Sequence, residues 1–554
     1  MELSLNRRSS NMAHSRSFIL IGLISLLSLS AFAQTSRYMI FFKDKEGTSY
    51  SVSRPLEFLS QKAVDRRIKQ NLTITSQDLP VNGNYVQGVR NTGAEIFFPT
   101  RWMNGLLVHC ESSLIPSIQA LPFVERIEFV APAQKPTSNG RKSSNIRKKN
   151  EKAGIETASQ LEMLGIPEMH RDEYRGEGMT IAVFDGGFPG VNVTEPFQHI
   201  FTEGRFNANA SHDFVRNTKN VFQYDDHGTE VFSVIAAFTP DVFTGGAYKA
   251  NYQLYVTEEF GTEYPVEEYN WMFAAERADS AGVDIISSSL GYYDFDAGFV
   301  NYTTGQMDGK TTVVTRAAQW VAERGIVVVS SAGNEGNIPS WRIIAAPSDA
   351  EDIIAVGNVN PQGIRASSSS MGPTTDGRIK PDVVALGTSV RVITQSGSMG
   401  SASGTSLSAP LVTGLVAGIW QRYPDLTAKE LMDGLRKSAS IANNPNIEIG
   451  YGIPHYRAFS NYQQVTDQTS LFEVFPNPTP DTVTLRPNNP EEIQSCIVEL
   501  VSAQGQVLAK DTATFSWLNP VYKTNLSHLS EGIYYLRVWL GQQHFIFKVL
   551  KKAN

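Results

Sequence analysis

The chain has 554 residues and a net charge of −7, with 41% hydrophobic and 19% charged residues. That length exceeds one ordinary domain, and the composition is that of globular rather than disordered material. The mild negative charge argues against a nucleic-acid partner, and the two cysteines, Cys110 and Cys496, exclude a disulfide framework and a cysteine-based zinc site.

Residues 1–33 carry Arg7, Arg8 and Arg16, then the apolar run FILIGLISLLSL, then SAFAQ with small residues at Ala31 and Ala33. This is the pattern of a secretory signal peptide cut after Ala33, and the run is too short to span a bilayer comfortably. No later segment is long and apolar enough to do so, so the mature chain is expected to be exported and soluble. Residues 34–135 follow, with RYMIFF, AEIFFP, GLLVHC and VERIEFV as strands and LEFLSQKAVDRRIKQ as an amphipathic helix, a small α+β domain. Residues 136–157 are rich in Lys, Arg, Ser and Asn without apolar periodicity, and read as an exposed, easily cut linker.

From 158 to 462 the pattern changes. The β-branched runs MTIAVF, YQLYVT, VDIISSS, GIVVVSS and DIIAVGN alternate with helical stretches such as VEEYNWMFAAERADSAG and TTVVTRAAQWVAERG, the last closed by Gly325. Continuous apolar strands between helices predict a parallel α/β sheet with helices on both faces. Residues 463–470, QQVTDQTS, read as a second linker. Residues 471–554 hold short alternating strands separated by turns such as SAQGQ and LGQQH, an all-β sandwich pattern.

In a parallel α/β sheet, active residues gather at the carboxyl ends of the strands. Asp185 follows the strand TIAVF, where a carboxylate serves a turn, a cap or chemistry equally well. His227 in YDDHGTEVF opens a helix-like run and is the natural proton shuttle near neutral pH. Asn334 lies in the glycine-rich loop SSAGNEGN, which suits turn chemistry or a fixed amide donor. Ser406 in GSASGTSLSAP precedes LVTGLVAGIW, a run apolar all round that predicts a buried helix. Pro410 suits the first turn of that helix, and Ser406 then lies at its positive end among unpaired N–H groups. The order Asp, His, Ser is that of one convergent catalytic triad, and no G-x-S-x-G elbow surrounds Ser406.

With these segments in hand, the chain resembles the subtilisin-like serine proteases over residues 160–460. VFDGG, HGT, DIISSSLG, SSAGNEG, MGPTTDGRIKPDVVALG and GTSLSAP match that family's aspartate, histidine, substrate-strand, oxyanion, serine-approach and nucleophile segments in order. The resemblance implies Ser406 as nucleophile, His227 as general base, Asp185 as its orienter and Asn334 as oxyanion donor. It also implies a substrate cleft lined by Ser288, Ser289, Leu290, Gly291, Ser331, Ala332 and Gly333. Two departures stand out: Gly186 replaces a Ser or Thr common in relatives, and Glu230 replaces a second histidine. No cofactor or metal is implied by the chemistry. Structural calcium is common in the family, and NANASHDF and QYDDH hold candidate oxygens without defining a ligand set.

Residues 34–135 resemble the propeptides of such enzymes. FEVFPNPTPDTVTL, VELVSAQGQVL and TNLSHLSEGIYYLRV resemble the sorting domains of the bacterial type IX secretion system. The expected function is a secreted serine endopeptidase, made as a preproprotein and exported through the periplasm of a Gram-negative bacterium to the medium or the cell surface. Its expected partners are protein or peptide substrates and the secretion machinery, with the membrane met only in transit. The family's permissive pockets imply broad specificity leaning towards apolar residues. Two other outcomes stay open on the same scaffold: a peptide ligase, and a non-catalytic adhesion protein.

Overall fold

The computed structural model describes residues 35–132, 157–259, 261–516, 518–541 and 543–552. The expected signal peptide, and the first linker apart from Thr157, lie outside the described residues.

The centre of the molecule is a seven-stranded sheet. In spatial order its strands are Val383–Leu386, Ile354–Val359, Val327–Ser331, Ile285–Ser288, Thr180–Asp185, Asn251–Val256 and His212–Asp213, all paired in parallel. Parallel neighbours need crossover connections; helices His227–Ala236, Val266–Ala281 and Val313–Ala322 serve three of them, and the connections after Ser331 and after Val359 are loops. The two-residue alternation along a strand sorts the core. Ile181, Val183, Ile285, Val327 and Val329 face one side with Leu411 and Leu415 of helix Thr405–Arg422. Ala182, Phe184, Ile286 and Val328 face the other with Trp271 of helix Val266–Ala281 and Ala317 of helix Val313–Ala322.

Helix Thr405–Arg422 is buried from Thr405 to Trp420. Its small residues permit this. A Cβ on Gly414 would stand 2.7 Å from the Cα of Gly246, so the two backbones touch where no side chain fits. Helix Val313–Ala322 stops where the sequence says it should: Gly325 takes φ +77°, a left-handed conformation that glycine adopts without strain.

Residues 36–131 build a four-stranded antiparallel sheet, in the order Glu95–Thr100, Gly105–Cys110, Ser36–Phe42, Val124–Ala131. Ile40, Phe42, Leu106 and Val108 face this domain's own core. Met39, Phe41, Leu107 and Val130, one residue out of phase, pack instead with Trp271, Met272 and Phe273 of helix Val266–Ala281. The small domain is thus docked through a whole sheet face.

The C-terminal region is a pair of antiparallel sheets of three and four strands around Phe472, Val483, Leu500, Leu536 and Val549. Residues 463–470, expected as a linker, form part of helix Tyr456–Leu471, which runs straight into strand Phe472–Phe475. The stretch contains no Gly or Pro, so nothing in it ends the helix. Cys110 and Cys496 are both free and buried. Among the described residues no helix is long and apolar enough to cross a membrane.

Candidate active site

Asp185 ends the strand Thr180–Asp185 and is 1% exposed. Its Oδ1 accepts the N–H of Gly186 at 2.8 Å, so the backbone itself hydrogen-bonds the carboxylate. His227 opens helix His227–Ala236, anchored by its N–H donating to Asp225 Oδ1 at 3.0 Å. The imidazole Nδ1 lies 2.8 Å from Asp185 Oδ1 and 3.0 Å from Oδ2. A carboxylate there holds the proton on Nδ1 and leaves Nε2 as the basic nitrogen. Gly228 makes this approach possible, because a Cβ on it would stand 2.3 Å from Gly187 O and 2.8 Å from Asp185 Cβ.

Ser406 is the second residue of helix Thr405–Arg422, where backbone N–H groups have no intrahelical acceptor. Its Oγ lies 3.4 Å from Ser289 O. The helix starts earlier than its proline suggested: Pro410 sits inside it rather than in its first turn. A proline there cannot donate to the carbonyl four residues back, which is that of Ser406. That carbonyl instead accepts the hydroxyl of Ser289 at 2.8 Å, tying the serine to the strand that ends beside it.

Asn334 follows strand Val327–Ser331. Its Oδ1 accepts the N–H of Thr405 at 3.0 Å and Thr405 Oγ1 at 3.1 Å. A backbone N–H can only donate, so the oxygen is identified and Nδ2 is left as the donor on the other side of the amide.

Asp185, His227, Asn334 and Ser406 line one cleft of about 590 Å³. Ser289, Leu290, Gly291, Ser331 and Gly333 line it too. Ser288 and Ala332 do not. Strand alternation turns Ser288 to the opposite face, where its Oγ accepts Trp271 Nε1 at 3.0 Å. Ala332 is fully buried and contributes its backbone to the sheet, its N–H donating to Val356 O at 3.0 Å.

Other lining residues are Glu230, noted above as a departure, Glu335 from the SSAGNEG segment, and Glu263, Tyr293 and Asp294, which no motif announced. Glu230 is 2% exposed, and its Oε1 has no hydrogen-bond partner. Burial, with nearby Asp226 adding to it, pushes its carboxyl up to about 7. Among the described residues no cluster of three or more His, Cys, Asp or Glu is arranged to hold a metal ion. In NANASHDF, Asn207 Oδ1 accepts the N–H of Ala210 at 3.1 Å, and Asp213 Oδ1 accepts those of Val215 and Arg216 at 2.9 and 3.0 Å.

Comparison with known proteins bears on this arrangement. Residues 176–453 match the profile of the subtilase family, and residues 37–149 match a peptidase S8 propeptide domain of Bacteroidota. Residues 473–552 match a secretion system C-terminal sorting domain. Subtilisin NAT of Bacillus subtilis subsp. natto is 31% identical over 288 residues, which are 51% of this chain and 66% of that protein. The chain therefore spans just under two thirds of that relative's length. A subtilisin of Bacillus pumilus is 30% identical over 284 residues, 50% of this chain and 90% of that one. Among solved structures, the epidermin leader peptide processing serine protease EpiP of Staphylococcus aureus aligns with a TM-score of 0.52 at 13% identity, covering 77% of this chain and 99% of that one. At that identity the likeness concerns the fold alone.

Proposed function

Because the chain belongs to the subtilase family of serine peptidases, we propose that it is an exported endopeptidase whose acyl-enzyme forms on Ser406. The observation that carries this reading is the 2.8 Å pairing of Asp185 with His227 in the cleft that Ser406 and Asn334 also line.

The steps follow from the groups present. Ser406 Oγ attacks the scissile carbonyl carbon while His227 Nε2 takes its proton. Asp185 keeps the ring oriented and stabilises the imidazolium. The carbonyl oxygen becomes an oxyanion, held by Asn334 Nδ2 and by the N–H of Ser406 at the positive end of its helix. The C–N bond breaks as the imidazolium gives its proton to the departing amine. Water then attacks the ester, with His227 again as base, and Ser406 is regenerated.

The flanking domains extend the proposal. Residues 34–135 serve as a propeptide that covers the enzyme until the linker is cut, and residues 471–554 direct passage across an outer membrane. The support is the two domain matches.

The deciding experiment compares wild type with Ser406→Ala on unfolded casein and on reaction with a fluorophosphonate probe. Cleavage and labelling by wild type, with neither by the variant, is the expected result. A folded wild type inert in both assays favours the adhesion alternative, and joined rather than cut peptides favour the ligase.

A further inference from the structure

Beyond the groups that break the bond, the cleft is crowded with acidic side chains. Eight of its lining residues are Asp or Glu, and none is Lys or Arg. Glu335 sits beside the proposed oxyanion donor, where Ser331 and Gly333 form the wall. Its Oε2 accepts the N–H of Asn334 at 2.7 Å and Ser370 Oγ at 3.1 Å, so it is fixed by neutral donors and not by a cation. Burial raises its carboxyl above the ordinary value, and neighbouring Asp294, exposed on the rim, adds to that rise. Glu263 lies on the adjoining loop, its N–H donating to Asp296 Oδ2 at 3.1 Å. On the histidine side, the buried Glu230 presents the unpartnered Oε1 already described. Like charges gathered in a partly dry cleft raise one another's energy, and an incoming cation relieves all of them at once.

The same chain carries such a cation-rich segment. Residues 133–156 contain Lys135, Arg141, Lys142, Arg147, Lys148, Lys149 and Lys152 against only Glu151 and Glu156. The strand that precedes this segment, Val124–Ala131, ends close to the acidic rim. Phe129 stacks on Phe299 with centroids 5.2 Å apart, and Phe299 in turn lies 5.5 Å from Tyr264. The chain therefore leaves the small domain beside the two loops that supply Glu263 and Asp294.

We propose that the cleft selects cationic peptide segments, with Glu335 and Asp294 as the residues that read the charge, and that the first such segment it meets is the chain's own residues 133–156. This rests on the endopeptidase reading and replaces the apolar preference that the family's permissive pockets implied. The small residues of the walls leave room, and the carboxylates decide what fills it.

The test offers wild-type protein two synthetic peptides, residues 133–156 and a twin in which the seven Lys and Arg are Gln, with unfolded casein as a reference substrate. The expected result is a kcat/KM on the cationic peptide higher by on the order of tenfold or more, a ratio that shrinks as NaCl is raised through 0.5 M. Glu335→Gln and Asp294→Asn lower kcat/KM on the cationic peptide more than on its twin, so the ratio falls. Equal rates on both peptides, or casein cut while neither peptide is, overturn the charge selection and leave the endopeptidase standing. If casein also stays intact with a correctly folded protein, the endopeptidase reading fails and this inference with it.

Discussion

Arg67 Nη2 donates to Asp279 Oδ2 at 2.9 Å across the interface between the small N-terminal domain and helix Val266–Ala281, and both side chains are buried. Arg66 and Arg101 converge on the same carboxylate. On the next turn, Glu276 accepts Thr100 Oγ1 and the N–H groups of Arg101 and Trp102. Removing Asp279 takes away the carboxylate that three buried guanidinium groups share. In a Ser406→Ala background, where self-cleavage cannot interfere, Asp279→Ala should destabilise the docked domain by about 3–5 kcal/mol, read by urea denaturation.

The same carboxylate sets an acid limit. Burial pushes the Asp279 carboxyl up, but Arg101, Arg67 and Arg66 overcome this and hold it at about 2, below its ordinary value of 3.8. A depressed carboxyl contributes stability that is complete above its unfolded pKa and is lost as pH falls through the folded one. Docking should therefore be insensitive to pH from 7 to about 4 and weaken between about 4 and 2. Size-exclusion chromatography of the linker-cut complex across that range measures it.

Glu230 titrates in the opposite sense. Its carboxyl lies at about 7 instead of 4.5, so the folded protein favours the protonated form and loses stability as pH rises from 4.5 through 7. Glu230→Gln should match wild type near pH 4 and exceed it at pH 8 by up to about 3 kcal/mol. Paired thermal melts at the two pH values decide the matter. An equal offset at both would place the effect in packing and not in charge.

Asn334→Ala should keep KM close to wild type and lower kcat by about 10²–10³, the scale known for removing such a donor from a subtilisin. Ser406→Ala should lower kcat by roughly 10⁶. Steady-state kinetics on a single peptide separates the two effects. An Asn334→Ala variant that changed KM alone would assign the amide to binding and not to the oxyanion.

Gly228→Ala tests the close contact behind the Asp185–His227 pair. The added Cβ meets a carbonyl oxygen 2.3 Å away and the Asp185 side chain at 2.8 Å, so the helix start must move. Expected are a loss of activity of at least about 10²-fold and a stability cost of about 1–3 kcal/mol. Activity assays with a denaturation curve distinguish a displaced histidine from an unfolded protein.

The parts of this molecule legible in its sequence are those written in contiguous residues. The strand that ends at Asp185 announced itself as an apolar run, and the helix that holds Ser406 as an apolar stretch rich in small residues. Three consecutive serines hide which one a strand turns inward, and the hydrogen bond of Ser288 to Trp271 across the sheet is not legible in them. Pro410 looked like a helix start because its cost is lowest there. Its actual place became acceptable only because Ser289 supplies the missing donor. Glu230 and Glu335 lie in or beside the histidine and oxyanion segments, but nothing contiguous announced an acidic cleft. Glu230, Glu263, Asp294 and Glu335 sit in different loops and helices, and only the fold gathers them.

The docked interface also changes what the modest net charge of the chain means. Residues 34–156 hold 18 Lys and Arg against 11 Asp and Glu, so the negative excess belongs to the remainder of the chain. The two polarities meet where Asp279 pairs with Arg66, Arg67 and Arg101, Asp284 with Lys62, and Glu259 with Arg37. Were the linker cut, the molecule would be two pieces of opposite isoelectric character held face to face. At low ionic strength an anion-exchange column should retain them as one species, and a salt gradient should elute the basic fragment first. A preparation made without that salt step would keep the basic fragment with the enzyme, and lower activity before the step than after it would show that the fragment blocks the cleft.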